Sequence, residues 1–402
     1  MNKILVILLS IFLTAVYAFE ANTPIAIAAN PNEKIIVIGH QNGYITILDK
    51  ESLKVKGTKK IGHNIKKLSF TSNGKYLWVI GYVEERKEKV YCVEVSDWTV
   101  DFKLSADKVN WSNTTDRLCY TIGYGDTQVH LLDMNTKSKI GAVDAKFSDP
   151  EMKIDALMFS SDGKELLVSG HKGYGNDEPG EVLVYKSEGY SKIHKKTIKS
   201  KKAFSDSFGH GVLSKDSTYF IFSWFNGRLF KGAEELVYPD YLTCYSVFAE
   251  PDGSFALIGS GRHAIERFDI NSPNSSKLTF EKIGKSEGGV VSFSSDGKNV
   301  YFITDEHLIG VINKEGFVTK QELLTYKVNL ILRDYYKAEQ AKEIENQLKS
   351  LGYKVVVPEE YDKNNRVVIK SELTVEKAYD AVIEIREKTT LGIQTIVELF
   401  VE

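Results

Sequence analysis

Between Pro24 and about Gln321 the chain alternates short apolar runs with short polar turns, and the alternation itself repeats. An apolar run meets a polar turn, a second apolar run follows, then a Gly-containing turn and a third run. The first turns read NPNEK (Asn30–Lys34), TSNGK (Thr71–Lys75), SNTTD (Ser112–Asp116), SSDGK (Ser160–Lys164), SKDST (Ser214–Thr218), EPDGS (Glu250–Ser254) and SSDGK (Ser294–Lys298), seven copies in all. Asn, Asp and Gly suit these places because they tolerate the positive φ of a tight hairpin. The stretch after each turn repeats as well: KIIVIGHQNGYITILD after the first resembles KELLVSGHKGYGNDEPGEVLVY after the fourth, and KNVYFITDEHLIGVIN after the seventh has the same plan. A strand–turn–strand unit with a period of about 40–45 residues cannot bury both faces alone, so copies must stack. The spacing predicts an all-β propeller whose seven blades close into a ring across residues 22–321. The wider gaps around Gly173–Gly180 and His194–Phe208 are expected to be long loops.

After Lys320 the period changes. Val328–Leu332 has strand character. Ala338, Ala341, Ile344, Leu348 and Leu351 then recur at helical spacing, and Gly352 stands where a left-handed cap would end the helix. Lys354–Val357 and Arg366–Lys370 predict two more strands, Val375, Ala378, Val382 and Ile385 a second helical stripe, and Thr395–Phe400 a fourth strand. The order βαββαβ predicts a small α+β, ferredoxin-like domain over residues 326–402, with its helices on one face of the sheet.

Both parts resemble known families. The repeats are similar to WD40-like and SDGK-type bacterial β-propellers, although LD, FD and VY stand where a WD repeat usually closes its third strand with Trp-Asp. Gly62-His63 fits the Gly-His of a WD repeat and Gly209-His210 is a second candidate, whereas Gly39-His40 and Gly170-His171 fall later in their repeats. The tail resembles the SPOR (sporulation-related repeat) domain of bacterial envelope proteins. Val328-Asn329-Leu330 stands at the family's Val-Gln-Val or Val-Gln-Leu, Ala338 and Ala341 match its Ala-rich first helix, and LKSLGYKV (Leu348–Val355) matches its Leu-x-x-x-Gly-Tyr ending. Arg366-Val367-Val368-Ile369 and Leu391-Gly392-Ile393 match later segments. Leu332-Arg333-Asp334 and Lys370-Ser371-Glu372 depart from the family's Gly-Ser-Phe and Gly-Pro-Phe, which bears on groove shape more than on fold.

That resemblance implies binding to peptidoglycan glycan strands, preferably ones stripped of stem peptides, through the open face of the sheet, and concentration of the protein at division septa. Side chains alternate along a strand, so if Val328, Leu330 and Leu332 face the helices, Asn329, Ile331 and Arg333 face outward, as do Arg366, Val368 and Lys370. Asn329 would supply an amide, Ile331 and Val368 an apolar platform, and Arg333, Arg366 and Lys370 charge-assisted bonds to lactyl carboxylates. The competing reading makes all six ordinary solvated strand residues.

The opening MNKILVILLSIFLTAVYAFE reads as a secretory signal over residues 1–18. Lys3 supplies the charge, Ile4–Leu13 the apolar run and Val16-Tyr17-Ala18 a small-x-small cleavage site. The run is shorter than the roughly 20 residues of a membrane helix. Export to the periplasm follows, with no integral membrane span after cleavage; an uncleaved anchor is the alternative. A net charge of -2 gives no general attraction to nucleic acid or anionic membrane. Cys92, Cys119 and Cys244 are an odd set in separate apolar segments, which favours buried free thiols over a disulfide framework.

His40, His171, His263 and His307 each precede the third strand of a repeat, and His63 and His210 lie in connections reaching the same rim. Lacking the close pairing of H-x-H or H-x-x-x-H, they are expected to be polar turn residues, with no metal and no cofactor. No C-x-x-C-H, H-E-x-x-H, G-x-S-x-G or G-x-x-x-x-G-K-[ST] occurs. The expected function is therefore that of a non-catalytic periplasmic interaction protein. Its small domain would bind wall glycan and its propeller rim an envelope protein. The alternatives are a wall-tethered propeller hydrolase or lactonase, and a scaffold whose small domain binds protein.

Overall fold

The computed structural model describes residues 23–332 apart from 63, 84–86, 113, 124, 173–179, 187–193, 201–210, 217, 223–226, 232–233, 238–243, 261–263, 271–279, 286–288 and 314–317; of the tail it describes 346–352, 355–356, 367–374, 381, 384 and 399–401. The signal segment and the helical stripes other than Leu348 and Leu351 lie outside the described residues.

The repeats fold into a β-propeller. Its described strands form seven antiparallel sheets of four consecutive strands each, numbered here blade 1 (Pro24–Lys60), blade 2 (Ile65–Ala106), blade 3 (Lys108–Asp144), blade 4 (Lys153–Ser200), blade 5 (Gly211–Val237), blade 6 (Cys244–Lys285) and blade 7 (Val290–Leu323). The first strand of each blade lies innermost. Blade 1's packs against that of blade 2 on one side and that of blade 7 on the other.

The three-strand unit of the sequence is corrected to four. The second strands, such as Ile35–His40 and Glu165–His171, are buried almost throughout and read as continuous apolar runs. The fourth strands, such as VKGTKK (Val55–Lys60) and VTKQEL (Val318–Leu323), are the exposed outer edge. Their lysines blunt an edge that would otherwise template further pairing, and the same polarity hides them among loops. His194–Ser200, expected to be loop, is one of them.

The core is divided into slices between blades. One cluster joins Ala26, Val37 and Ile45 of blade 1 to Leu68, Leu77 and Val79 of blade 2. Another joins Ile80, Val90 and Trp78 of blade 2 to Leu118 and Tyr120 of blade 3. Trp78 is fully buried and its indole N–H donates to the Met134 carbonyl at 3.1 Å, so no polar atom of the ring is stranded there. Cys92 and Cys119 are free and buried, and burial pushes the Cys119 thiol up to about 12, which makes it inert.

The repeated turn residues tie neighbouring blades together. Asn30 is fully buried, and its Oδ1 accepts from Asn32 N–H and Glu33 N–H at 2.9 Å, which shapes its own turn. Its Nδ2 donates to the Gly74 carbonyl of blade 2 at 2.9 Å. Ser72 of the next turn donates from its backbone N–H to Asp116 of blade 3 at 2.7 Å, and its hydroxyl bonds the other carboxylate oxygen. Gly74 has φ +68, and a Cβ there would lie 2.4 Å from Asn30 Oδ1. The N-G and D-G of these turns therefore serve hairpin geometry and blade contact at once.

Among the described residues, blades 1 and 7 meet at a seam without exchanging a strand. Ile27 N–H and Ala29 N–H donate to the hydroxyls of Ser292 and Ser294 at 3.2 and 3.0 Å. Lys50 pairs with Asp296 at 2.9 Å, both side chains largely shielded, and Lys320 reaches the Glu51 carbonyl at 3.1 Å. The tail starts at this seam: Leu324 is buried, and its N–H donates to the His307 carbonyl at 3.1 Å. The described tail is a four-stranded antiparallel sheet made of Thr325–Leu332, Val355–Val356, Val367–Thr374 and Leu399–Val401, with helical residues at 346–350, 381 and 384.

Gly74→Ala and Gly297→Ala separate the two uses of a turn glycine. Both have positive φ, +68 and +83, but nothing stands within 4 Å of a Cβ on Gly297. A left-handed backbone costs a residue with a Cβ about 1–2 kcal/mol, so Gly297→Ala should lose that much and Gly74→Ala clearly more. Denaturant unfolding of the two variants checks it, and equal losses would remove the blade contact from the account.

Candidate functional site

Two surfaces carry candidate chemistry. On the tail sheet, Asn329 pairs directly with Lys370 and Ile331 with Val368. Residues directly opposite in an antiparallel pair share a face, and alternate residues of one strand do too. The register thus puts Asn329, Ile331, Val368 and Lys370 on one face of the sheet. Arg333 and Arg366 lie outside the described residues.

The second surface is the mouth of the propeller, at the rim where the innermost strands begin. Five of those strands carry a register shift at the same place, four residues before the end of the strand, with one residue left out of the ladder. The residues are Ile25, Lys66, Asp155, Tyr245 and Val291. A bulge re-aims the side chain of its extra residue, so one backbone irregularity presents a different chemical group from each blade. Lys66 is tied to the buried carboxylate of Glu88 on blade 2. Asp155 is tied to His171, at the end of its blade's second strand, and both are nearly buried. Tyr245 is 40% exposed, the one aromatic among the large exposed apolar residues that the structure describes.

Near Lys66 the electrostatics are tight. Burial, with help from the Lys66 charge, lowers the Lys67 ammonium to about 8. Burial first, then Glu88 and Asp126, raises the Asp107 carboxyl. His130, absent from the sequence reading, is buried against the Tyr120 ring at 5.1 Å, and burial lowers its imidazolium.

Among the described residues no group of three or more His, Cys, Asp or Glu side chains could hold a metal ion. His40 and His307 do meet, their rings stacked at 6.4 Å across the closing seam, both buried. His40 Nε2 lies 2.8 Å from Thr46 Oγ1. His63, His210 and His263 lie outside the described residues. No helix among the described residues is long and apolar enough to cross a membrane.

Fold and mouth define a β-propeller protein. No family model matches the chain, and no curated protein does. Among solved structures, a chain of the Kuenenia stuttgartiensis hydrazine synthase is similar: the TM-score is 0.53 at 15% identity, and the match covers 73% of this chain and 96% of that one. At that identity the likeness is one of fold.

The His40–His307 contact predicts an acid-sensitive seam. Burial first, then the His40 ring, lowers the His307 imidazolium to about 3, while an unfolded chain protonates it near 6.5. Between those values the unfolded state binds more protons, so stability rises with pH across the window and is lost as pH falls below about 6.5. Urea midpoints measured from pH 7 to pH 4 should fall steadily, and His307→Gln should flatten that slope. An unchanged slope in the variant would remove His307 as its cause.

Proposed function

We propose that the protein is a non-catalytic interaction protein of the bacterial periplasm, exported by a cleaved signal. Its C-terminal SPOR-like domain binds peptidoglycan glycan strands, and its propeller presents the mouth rim to an envelope protein. The observation that carries the wall-binding half is the register of Asn329 with Lys370 and Ile331 with Val368. An amide, an ammonium and two branched apolar side chains on one sheet face are what a sugar chain with free carboxylates requires.

The order of the tail sheet supports the α+β reading. From edge to edge it runs Val355–Val356, Val367–Thr374, Thr325–Leu332, Leu399–Val401. A βαββαβ chain makes this order when each helix crosses over one face to the far side of its neighbour. In that arrangement the opposite face would stay open for binding. A propeller suits the second role because its rims gather turns from many blades on one rigid ring.

Sedimentation of the full chain with amidase-treated sacculi tests the proposal. Asn329→Ala removes a neutral bond worth about 0.5–1.5 kcal/mol, or about twofold to tenfold in affinity. Lys370→Ala should add a loss that shrinks as salt rises. Full binding by an Asn329→Ala/Lys370→Ala variant that melts like the parent would rule out this face; no sedimentation of the parent would rule out wall binding altogether.

A further inference from the structure

At the mouth, the bulged Tyr245 of blade 6 stands beside Gly289, at the threshold of blade 7's innermost strand. A Cβ on Gly289 would lie 3.4 Å from Cδ2 and from Cε2 of the Tyr245 ring, and 3.6 Å from Asp305 Oδ2. The aromatic edge and the carboxylate therefore both stand at contact distance from the buried Gly289, which puts no side chain between them. Asp305 is held there by the turn itself. The Gly289 N–H donates to its Oδ1 at 2.8 Å, and its own N–H donates to the Gly289 carbonyl at 3.1 Å. Glu306 follows, exposed like Asp305, and neither has a basic partner among the described residues.

We propose that this notch, formed by Tyr245, Gly289 and Asp305, receives a lysine or arginine side chain from a basic segment of a partner protein. The inference rests on the reading of the rim as a protein-binding platform and names the chemistry of its partner. The ring would carry the methylenes and attract the cation through its π face, and Asp305 Oδ2 would accept a charge-assisted hydrogen bond. A neutral sugar fits less well. Its hydroxyls need donors and acceptors together, whereas the Gly289 N–H is already spent on Asp305 and the remaining groups, phenol apart, are anionic acceptors. The bulges of blades 2 and 4 are occupied internally, by Lys66 on Glu88 and by Asp155 on His171. At blade 6 the re-aimed side chain is aromatic and exposed, and no basic side chain meets it among the described residues.

Calorimetric titration of the full chain with hexalysine, and with hexalysine acetylated on every Nε, tests this. Hexalysine should bind and the acetylated peptide should not. Tyr245→Ala, Asp305→Asn and Gly289→Val, the last filling the notch, should each weaken binding about tenfold or more, a loss of about 1.4 kcal/mol. Tyr245→Phe, which keeps the ring, should bind like the parent. Gly289→Ala, an ordinary contact at 3.4 Å, gives a milder version should the valine variant melt early. The proposal is overturned if hexalysine fails to bind at millimolar concentration, if the variants bind it as the parent does, if Nα-acetyl-lysine methylamide binds as tightly as the peptide, or if an N-acetylglucosamine hexamer binds with the same dependence on the variants. Sacculus sedimentation run on the same variants should stay at parental level, so loss of this site and loss of wall binding are read separately.

Discussion

Two serine hydroxyls and one shielded ion pair hold the seam between blades 1 and 7, and the other blade interfaces depend on that seam staying shut. Each apolar slice of the core is shared by two neighbours, so a blade released on one side exposes a face that nothing else covers. Each blade is built from consecutive strands, so among the described residues no strand exchange bolts the ring. The Lys50–Asp296 pair matters for that reason. Burial works against the Asp296 carboxylate, but the Asn299 N–H, Lys50 and the Lys298 N–H outweigh it and hold the group below the ordinary range. Its contribution is therefore complete above an unfolded pKa near 3.9 and is lost as pH falls through the lower folded value. At the opposite rim His307 weakens the same seam at a higher pH. The two shifts together place the loss of stability at the histidine end at a higher pH than at the Lys50–Asp296 end.

The propeller was legible because its turns do two jobs. Thr71–Lys75 and Ser160–Lys164 keep N-G or D-G for positive φ, and the same glycines let the turn of one blade sit on the next. That double constraint repeats along the chain and shows as a period. The second strands were legible because burial on both faces leaves an apolar run. The fourth strands were not: a half-exposed edge strand such as Val55–Lys60 mixes lysines with small residues, and nothing in VKGTKK separates it from a loop.

Of the candidate sites, the tail face is the one that strand alternation alone proposes, with Asn329 and Ile331 on one side, and the backbone register sets Lys370 and Val368 opposite them. The mouth could not. Ile25, Lys66, Asp155 and Tyr245 share a place in their blades but not a residue type, and a bulge leaves no mark on hydrophobic alternation. His40 and His307 were noticed as rim residues, yet their stacking required the first and last blades to be neighbours, a contact 267 positions apart in sequence.

That division between what repeats and what varies follows from the mechanics of the ring. The turn residues and second strands are shared by every blade because each must fit two neighbours, so their chemistry is spent on closure. The bulged position lies at the mouth end of the innermost strand, and the blades that carry it offer different groups there without disturbing the stack. Where that group finds a partner within the protein, as Asp155 finds His171, it stiffens the mouth. Tyr245 instead meets an absent side chain at Gly289 and a carboxylate that the backbone holds in place. A rigid ring that leaves one such group uncovered presents it at a fixed position, and a partner that binds there loses little of its affinity to ordering the site.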